Sequence, residues 1–144
     1  MEEFPPETQL VCEWYTPLLS KTLEFLKSFG FVVLREEEAH FAELAWKSSK
    51  NRLMVEQMEG FVLAEDGKNQ QNNPQKFGWH GYVGNIRVMV PDVDSVYEVA
   101  LRTEEATILK ELENRYYGLR DFTVGGPFGI ALRFATPLPE FRES

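Results

Sequence analysis

A chain of 144 residues with 43% apolar and 13% aromatic residues can fill one packed core, which excludes disorder as its default state despite 26% charged residues. The net charge of −8, with no stretch where Lys and Arg gather without acids between them, excludes a nucleic-acid footprint and suits neutral or cationic small molecules. The single cysteine, Cys12, excludes an intrachain disulfide and a thiolate metal cluster; with neither a signal-peptide pattern nor a membrane-spanning run, a cytoplasmic protein is expected.

Over residues 9–15, Leu10, Cys12 and Trp14 alternate with other side chains, the period of a half-buried strand, which makes Cys12 a buried structural thiol. Thr16 and Pro17 stop that strand. Thr16 is placed as an N-cap and Pro17 at the first helical position, and Leu19, Leu23 and Leu26 recur at helical spacing. The amphipathic helix they predict ends at Gly30 as its C′ residue. Strand-like runs follow at 31–35, 40–46 and 52–57, separated by the acidic Glu36-Glu37-Glu38, read as a solvated turn, and by a polar run at 47–51.

The pattern then lapses into a stretch rich in Gly, Asn, Gln and Lys, and 59–81 is expected to be a linker or a covering loop. Beyond it, a strand at 85–90 leads through Pro91 to Asp92, which can cap a helix over about 93–102, with Asp94 suiting the helix dipole. Residues 107–112 fit helix or strand equally. A strand at 119–124, a turn through Gly125-Gly126-Pro127-Phe128-Gly129 and a strand at 130–135 complete the chain. The order β, α, β, β, β thus occurs twice, at 8–58 and 82–137, inside one domain spanning 1–144.

Three passages resemble the vicinal oxygen chelate superfamily, which includes glyoxalase I, bleomycin-resistance proteins and extradiol dioxygenases. Ser20-Lys21-Thr22-Leu23-Glu24-Phe25-Leu26 with Phe29-Gly30-Phe31 is similar to that family's first helix and the strand after it. Val90-Pro91-Asp92-Val93-Asp94 resembles the opening of its second module. Tyr117-Gly118-Leu119-Arg120-Asp121-Phe122-Thr123-Val124, followed by Pro127, Gly129 and Leu132-Arg133-Phe134, carries the most specific likeness. The resemblance implies an α+β fold of two βαβββ modules, whose curved mixed sheets form a concave cleft with the helices outside. It also implies a ligand or metal in that cleft, and often a homodimer.

Strand parity separates a helix-packed face from a mixed face that can line such a cleft. Leu53 and Val55 oppose Met54 and Glu56; Ile86 and Val88 oppose Asn85, Arg87 and Met89; Leu132 and Phe134 oppose Arg133; and Glu13 lies on a mixed face of the first strand. Glu13, Met54, Glu56, Asn85, Arg87, Met89 and Arg133 are therefore candidate ligand-binding residues, with Trp79 of the central stretch as an aromatic cover. The positions that bind metal in relatives fall on Val11, Glu56, Asn85 and Arg133, of which only Glu56 is a good ligand, so no metal cofactor is expected. Arg133 instead suits a bidentate pair with Glu56. His80 is the one candidate general base, and its plainer role is a loop histidine beside aromatic anchors; His40 is read as structural.

The resemblance and the mixed faces together imply a small-molecule-binding protein, metal-free and non-catalytic, holding a cationic or aromatic ligand in a cleft, with a homodimer as the expected assembly. One alternative is a glyoxalase-like metal-dependent lyase or isomerase with rearranged ligands. Another is a dimeric interaction module whose cleft is filled by its own side chains.

Overall fold

The structure, a computed structural model, describes residues 10–58, 60 and 81–141. Trp79, His80 and most of the expected linker at 59–81 lie outside the described residues. The chain divides into two compact units, Met1–Phe61 and Val62–Ser144.

The first unit runs β1 (Cys12–Thr16), α1 (Leu19–Ser28), β2 (Phe31–Glu37), β3 (Phe41–Trp46) and β4 (Arg52–Gln57). Its open sheet has the order β1-β4-β3-β2, with β1 and β4 parallel and the other pairs antiparallel. The second unit repeats this with β5 (Ile86–Met89), α2 (Val93–Arg102), β6 (Thr107–Asn114), β7 (Leu119–Gly125) and β8 (Ala131–Pro137), in the order β5-β8-β7-β6. The α+β class of two βαβββ modules is the expected one. Residues 107–112 resolve as strand because they pair with β7, and two register irregularities, after Ile108 and after Lys110, blur the two-residue period there.

Each helix turns its apolar stripe onto one sheet face. In the first unit Leu19, Leu23, Phe25 and Leu26 are buried together with Leu44, Leu53 and Val55. In the second, Val93 and Ala100 of α2 are buried, Tyr97 meets Phe122 edge-on at 5.0 Å, and Phe122 stacks on Phe134 at 5.6 Å. The central strands β3 and β7 are covered on both faces, which buries Glu43 and Asp121 along with their apolar neighbours.

Both helices are capped from the last strand of their own unit, and here two sequence expectations are corrected. The N-cap of α1 is Leu18, not Thr16; its first helical N–H, that of Leu19, donates to Gln57 Oε1 at 2.8 Å. Thr16 instead accepts from Leu18 N at 3.1 Å and bonds Thr22 Oγ1 at 2.8 Å, tying strand to helix. Asp92 does occupy the N-cap of α2 but its side chain makes no cap hydrogen bond; Val93 N donates to Thr136 Oγ1 at 2.9 Å, and that hydroxyl donates to Val90 O at 2.7 Å. Gly30 takes φ +108° just past α1, the left-handed geometry a C′ residue needs. Asp94, in the first turn of α2, forms a bidentate pair with Arg120 of β7 (2.9 and 3.1 Å) that holds its carboxyl below the usual value. Replacing Thr136 by valine removes two buried hydrogen bonds at constant shape, and a loss of about 1–2 kcal/mol in urea unfolding is expected.

Three smaller expectations also shift. Cys12 is exposed, because it opens an edge strand; partial burial of its thiol, and then the Glu13 carboxylate, raise its pKa, which disfavours the reactive thiolate. Glu36 and Glu37 continue β2 rather than form the turn, and His40 precedes β3 in that turn, exposed.

The shared caps define an internal equivalence. Thr16-Pro17 matches Val90-Pro91, and Gln57 matches Thr136, so the strand pairings align Glu13 with Arg87, Met54 with Arg133, and Glu56 with Ala135. Val11 and Asn85 are then equivalent, but Glu56 and Arg133 are not. The positional transfer that put those two at matching places in the modules is corrected by two residues.

Candidate binding recesses

On the face of the first sheet opposite α1, register brings Glu13 of β1, Met54 and Glu56 of β4, and Phe41 and Glu43 of β3 side by side. Glu13, Arg35, Phe41, Met54 and Glu56 line a recess of about 220 Å³. Glu43 lies below it, only 4% exposed, with Oε2 3.2 Å from Arg52 Nε and Oε1 3.6 Å from Arg35 Nε. The Arg35 guanidinium also sits 5.0 Å from the Phe41 ring centre. Both guanidinia are thus drawn toward the buried carboxylate, which leaves the acidic groups Glu13 and Glu56 to set the charge at the mouth.

The corresponding face of the second sheet is built differently. A recess of about 390 Å³ is lined by Tyr82, Asn85, Leu109, Lys110, Thr123 and Arg133, among others. Arg133 Nε donates to Thr123 Oγ1 at 3.1 Å, which fixes the plane of the guanidinium. Tyr82 lies against Gly125, where an added Cβ would come within 2.5 Å of the ring, and its hydroxyl reaches Gly126 O at 3.5 Å. Burial raises its pKa, so the phenol stays protonated. Asp121, further along β7, is fully buried and spent on structure: it accepts from Arg115 Nε at 2.8 Å and from the Tyr117 hydroxyl at 2.6 Å.

Solved structures share this fold. TioX from Micromonospora sp. ML1 superposes with a TM-score of 0.63 at 21% identity, over 90% of this chain and 95% of that one. A glyoxalase/bleomycin resistance protein/dioxygenase family enzyme from Burkholderia phytofirmans PsJN gives 0.63 at 18% identity, over 89% and 97%. The fold is the one found in solved members of the glyoxalase/bleomycin resistance protein/dioxygenase superfamily. A bleomycin-binding protein from Streptomyces verticillus, solved with copper(II)-bleomycin, matches at 0.57 and 17% identity, over 93% and 97%. No family model matches the sequence, and no curated protein matches it closely. At these identities the likeness covers fold, while the chemistry must come from the side chains present.

Those side chains do not suit the metal implied by the superfamily. The candidate positions supply Val11 with Met54 or Glu56 in the first unit, and Asn85 with Arg133 or Ala135 in the second. Neither unit offers more than one anionic donor at these positions, and the second brings a cation in Arg133. Among the described residues no three His, Cys, Asp or Glu side chains come together as a metal site.

Of the residues expected from sequence to bind ligand, Glu13, Met54 and Glu56 share the first recess and Asn85 and Arg133 share the second. Arg87 is the register neighbour of Arg133, and Met89 lies one pleat further on the same face; both are exposed. The Glu56–Arg133 pair joins residues of separate units, and within its own unit Arg133 is held by Thr123. Sequence reasoning missed Arg35, Phe41, Glu43, Arg52, Lys110 and Thr123. A signal existed for Glu43, since a lone acid inside the apolar run Phe41-Ala42-Glu43-Leu44-Ala45-Trp46 can only be buried if paired, and Arg35 and Arg52 stand on the flanking strands.

Proposed function

We propose that this chain is a small-molecule-binding protein that grips its ligand with side chains of the helix-free sheet faces, without a metal. The observation that carries the reading is the recess of about 390 Å³ in the second unit, whose volume lies in the usual range for ligand pockets and whose lining mixes apolar and polar groups. The donor sets described above argue against a metal-dependent lyase or isomerase. Neighbours of the same fold include proteins that bind bleomycin, which favours binding over catalysis without identifying the ligand here.

In this reading the first recess receives the cationic or aromatic part of a ligand, because Glu13 and Glu56 border it beside Met54 and Phe41. The test is thermal unfolding of the full chain with benzyltrimethylammonium, with and without a chelator. A concentration-dependent rise in Tm that is insensitive to chelator and lost in Glu56→Gln is expected. A rise that appears only with added divalent ions contradicts the metal-free part, and no rise for any cationic or aromatic probe contradicts the assignment of the recess. Homodimerisation, common for this fold, and a cytoplasmic location belong to the same proposal; no helix among the described residues is long and apolar enough to cross a membrane.

A further inference from the structure

The second recess has a charge opposite to that of the chain. Although the sequence carries a net charge of −8, Lys110 and Arg133 line this recess and no carboxylate does. Arg87 pairs with Arg133 across the parallel β5–β8 ladder, so two like charges stand side by side on one face. Such a pair costs stability unless something neutralises it. Two carboxylates of this face, Asp121 and Glu113, bind Arg115, at 2.8 and 2.6 Å. Thr123 accepts from Arg133 Nε at 3.1 Å, which leaves the outer edge of the guanidinium for an anionic oxygen pair. Asn85 adds an amide, and the Tyr82 ring forms an apolar wall against Gly125.

We propose that the recess of the second unit is an anion site, in which Arg133, with Lys110 adding positive charge to the lining, takes the carboxylate, sulfonate or phosphonate of an aromatic acid whose ring lies along Tyr82. The inference rests on the small-molecule-binding reading and adds a ligand class that composition alone argues against. Because the anion meets Arg133 through a charge-assisted hydrogen bond on a partly exposed face, binding weakens as salt rises.

The experiment is an NMR titration of the ¹⁵N-labelled full chain with three probes sharing one ring: benzoate, benzyl alcohol and benzyltrimethylammonium. Benzoate is expected to shift the backbone signals of Thr123 and Ala131 and the Nε signal of Arg133, and benzyl alcohol is not. Arg133→Gln is expected to weaken benzoate binding roughly tenfold, the size of one lost charge-assisted hydrogen bond, with Arg133→Lys retaining part of it. Benzoate shifts matched by benzyl alcohol, or unchanged in a folded Arg133→Gln, overturn the anion site. Shifts from benzyltrimethylammonium in the first unit with none from benzoate overturn the anion site while leaving the small-molecule reading in place. Silence from all three probes overturns the anion site and removes support from that reading as well.

Discussion

Asp121→Ala is expected to destabilise the protein by about 3–5 kcal/mol, the range for breaking a buried ion pair on one side. The carboxylate is fully buried, and its two oxygens separately accept from Arg115 and from Tyr117. Arg115 also donates to Glu111 O at 2.5 Å and to Asp121 O at 3.4 Å, so one guanidinium closes the whole β6–β7 connection. Removing the carboxylate takes the buried counter-charge from that guanidinium, whose side chain is 18% exposed and which keeps only the exposed Glu113 as an acidic partner, and it leaves the phenol without its acceptor. Urea unfolding followed by far-UV circular dichroism measures the loss; a change under about 1 kcal/mol, the value for an exposed pair, would show that Asp121 does not organise this unit.

Glu43→Gln acts on the first unit by the same physics and on binding as well. The carboxylate faces Arg52 at 3.2 Å and Arg35 at 3.6 Å under a recess that Arg35 also lines. A neutral amide leaves two guanidinia without their shared counter-charge, and a loss of about 2–4 kcal/mol is expected. The charge of the recess also moves in the positive direction, so benzyltrimethylammonium should bind at least several-fold more weakly. If the folded variant binds this probe as the parent does, the acidic recess is not where the cation goes.

The topology was legible in the sequence because local signals agreed with one another. The helix at 93–102 has the bounds read from its pattern, and Gly30 ends the first helix as composition demands. What escaped was mostly non-local. Neither helix is capped by the neighbouring residue that sequence offers, Thr16 or Asp92, since Gln57 and Thr136 arrive from strands some forty positions away and satisfy the same N–H group. Cys12 looked buried because alternation reports a face of a strand but not whether that stretch of an edge strand is covered. For the candidate site, parity identified Glu13, Glu56, Asn85 and Arg133 as facing away from the helices. It did not reveal that Glu43 would hold two arginines on the same face, or that Lys110 would join Arg133 through an irregular stretch of β6.

The central claim is that a small molecule is held by these side chains with no metal in the site. Native mass spectrometry of the protein purified from cells and exchanged into chelator addresses it most directly. A non-covalent organic adduct that survives chelation and disappears in the Glu56→Gln, Arg133→Gln double variant is the predicted result. A stoichiometric divalent ion on the folded chain, with ligand binding lost when it is stripped, is the contrary one.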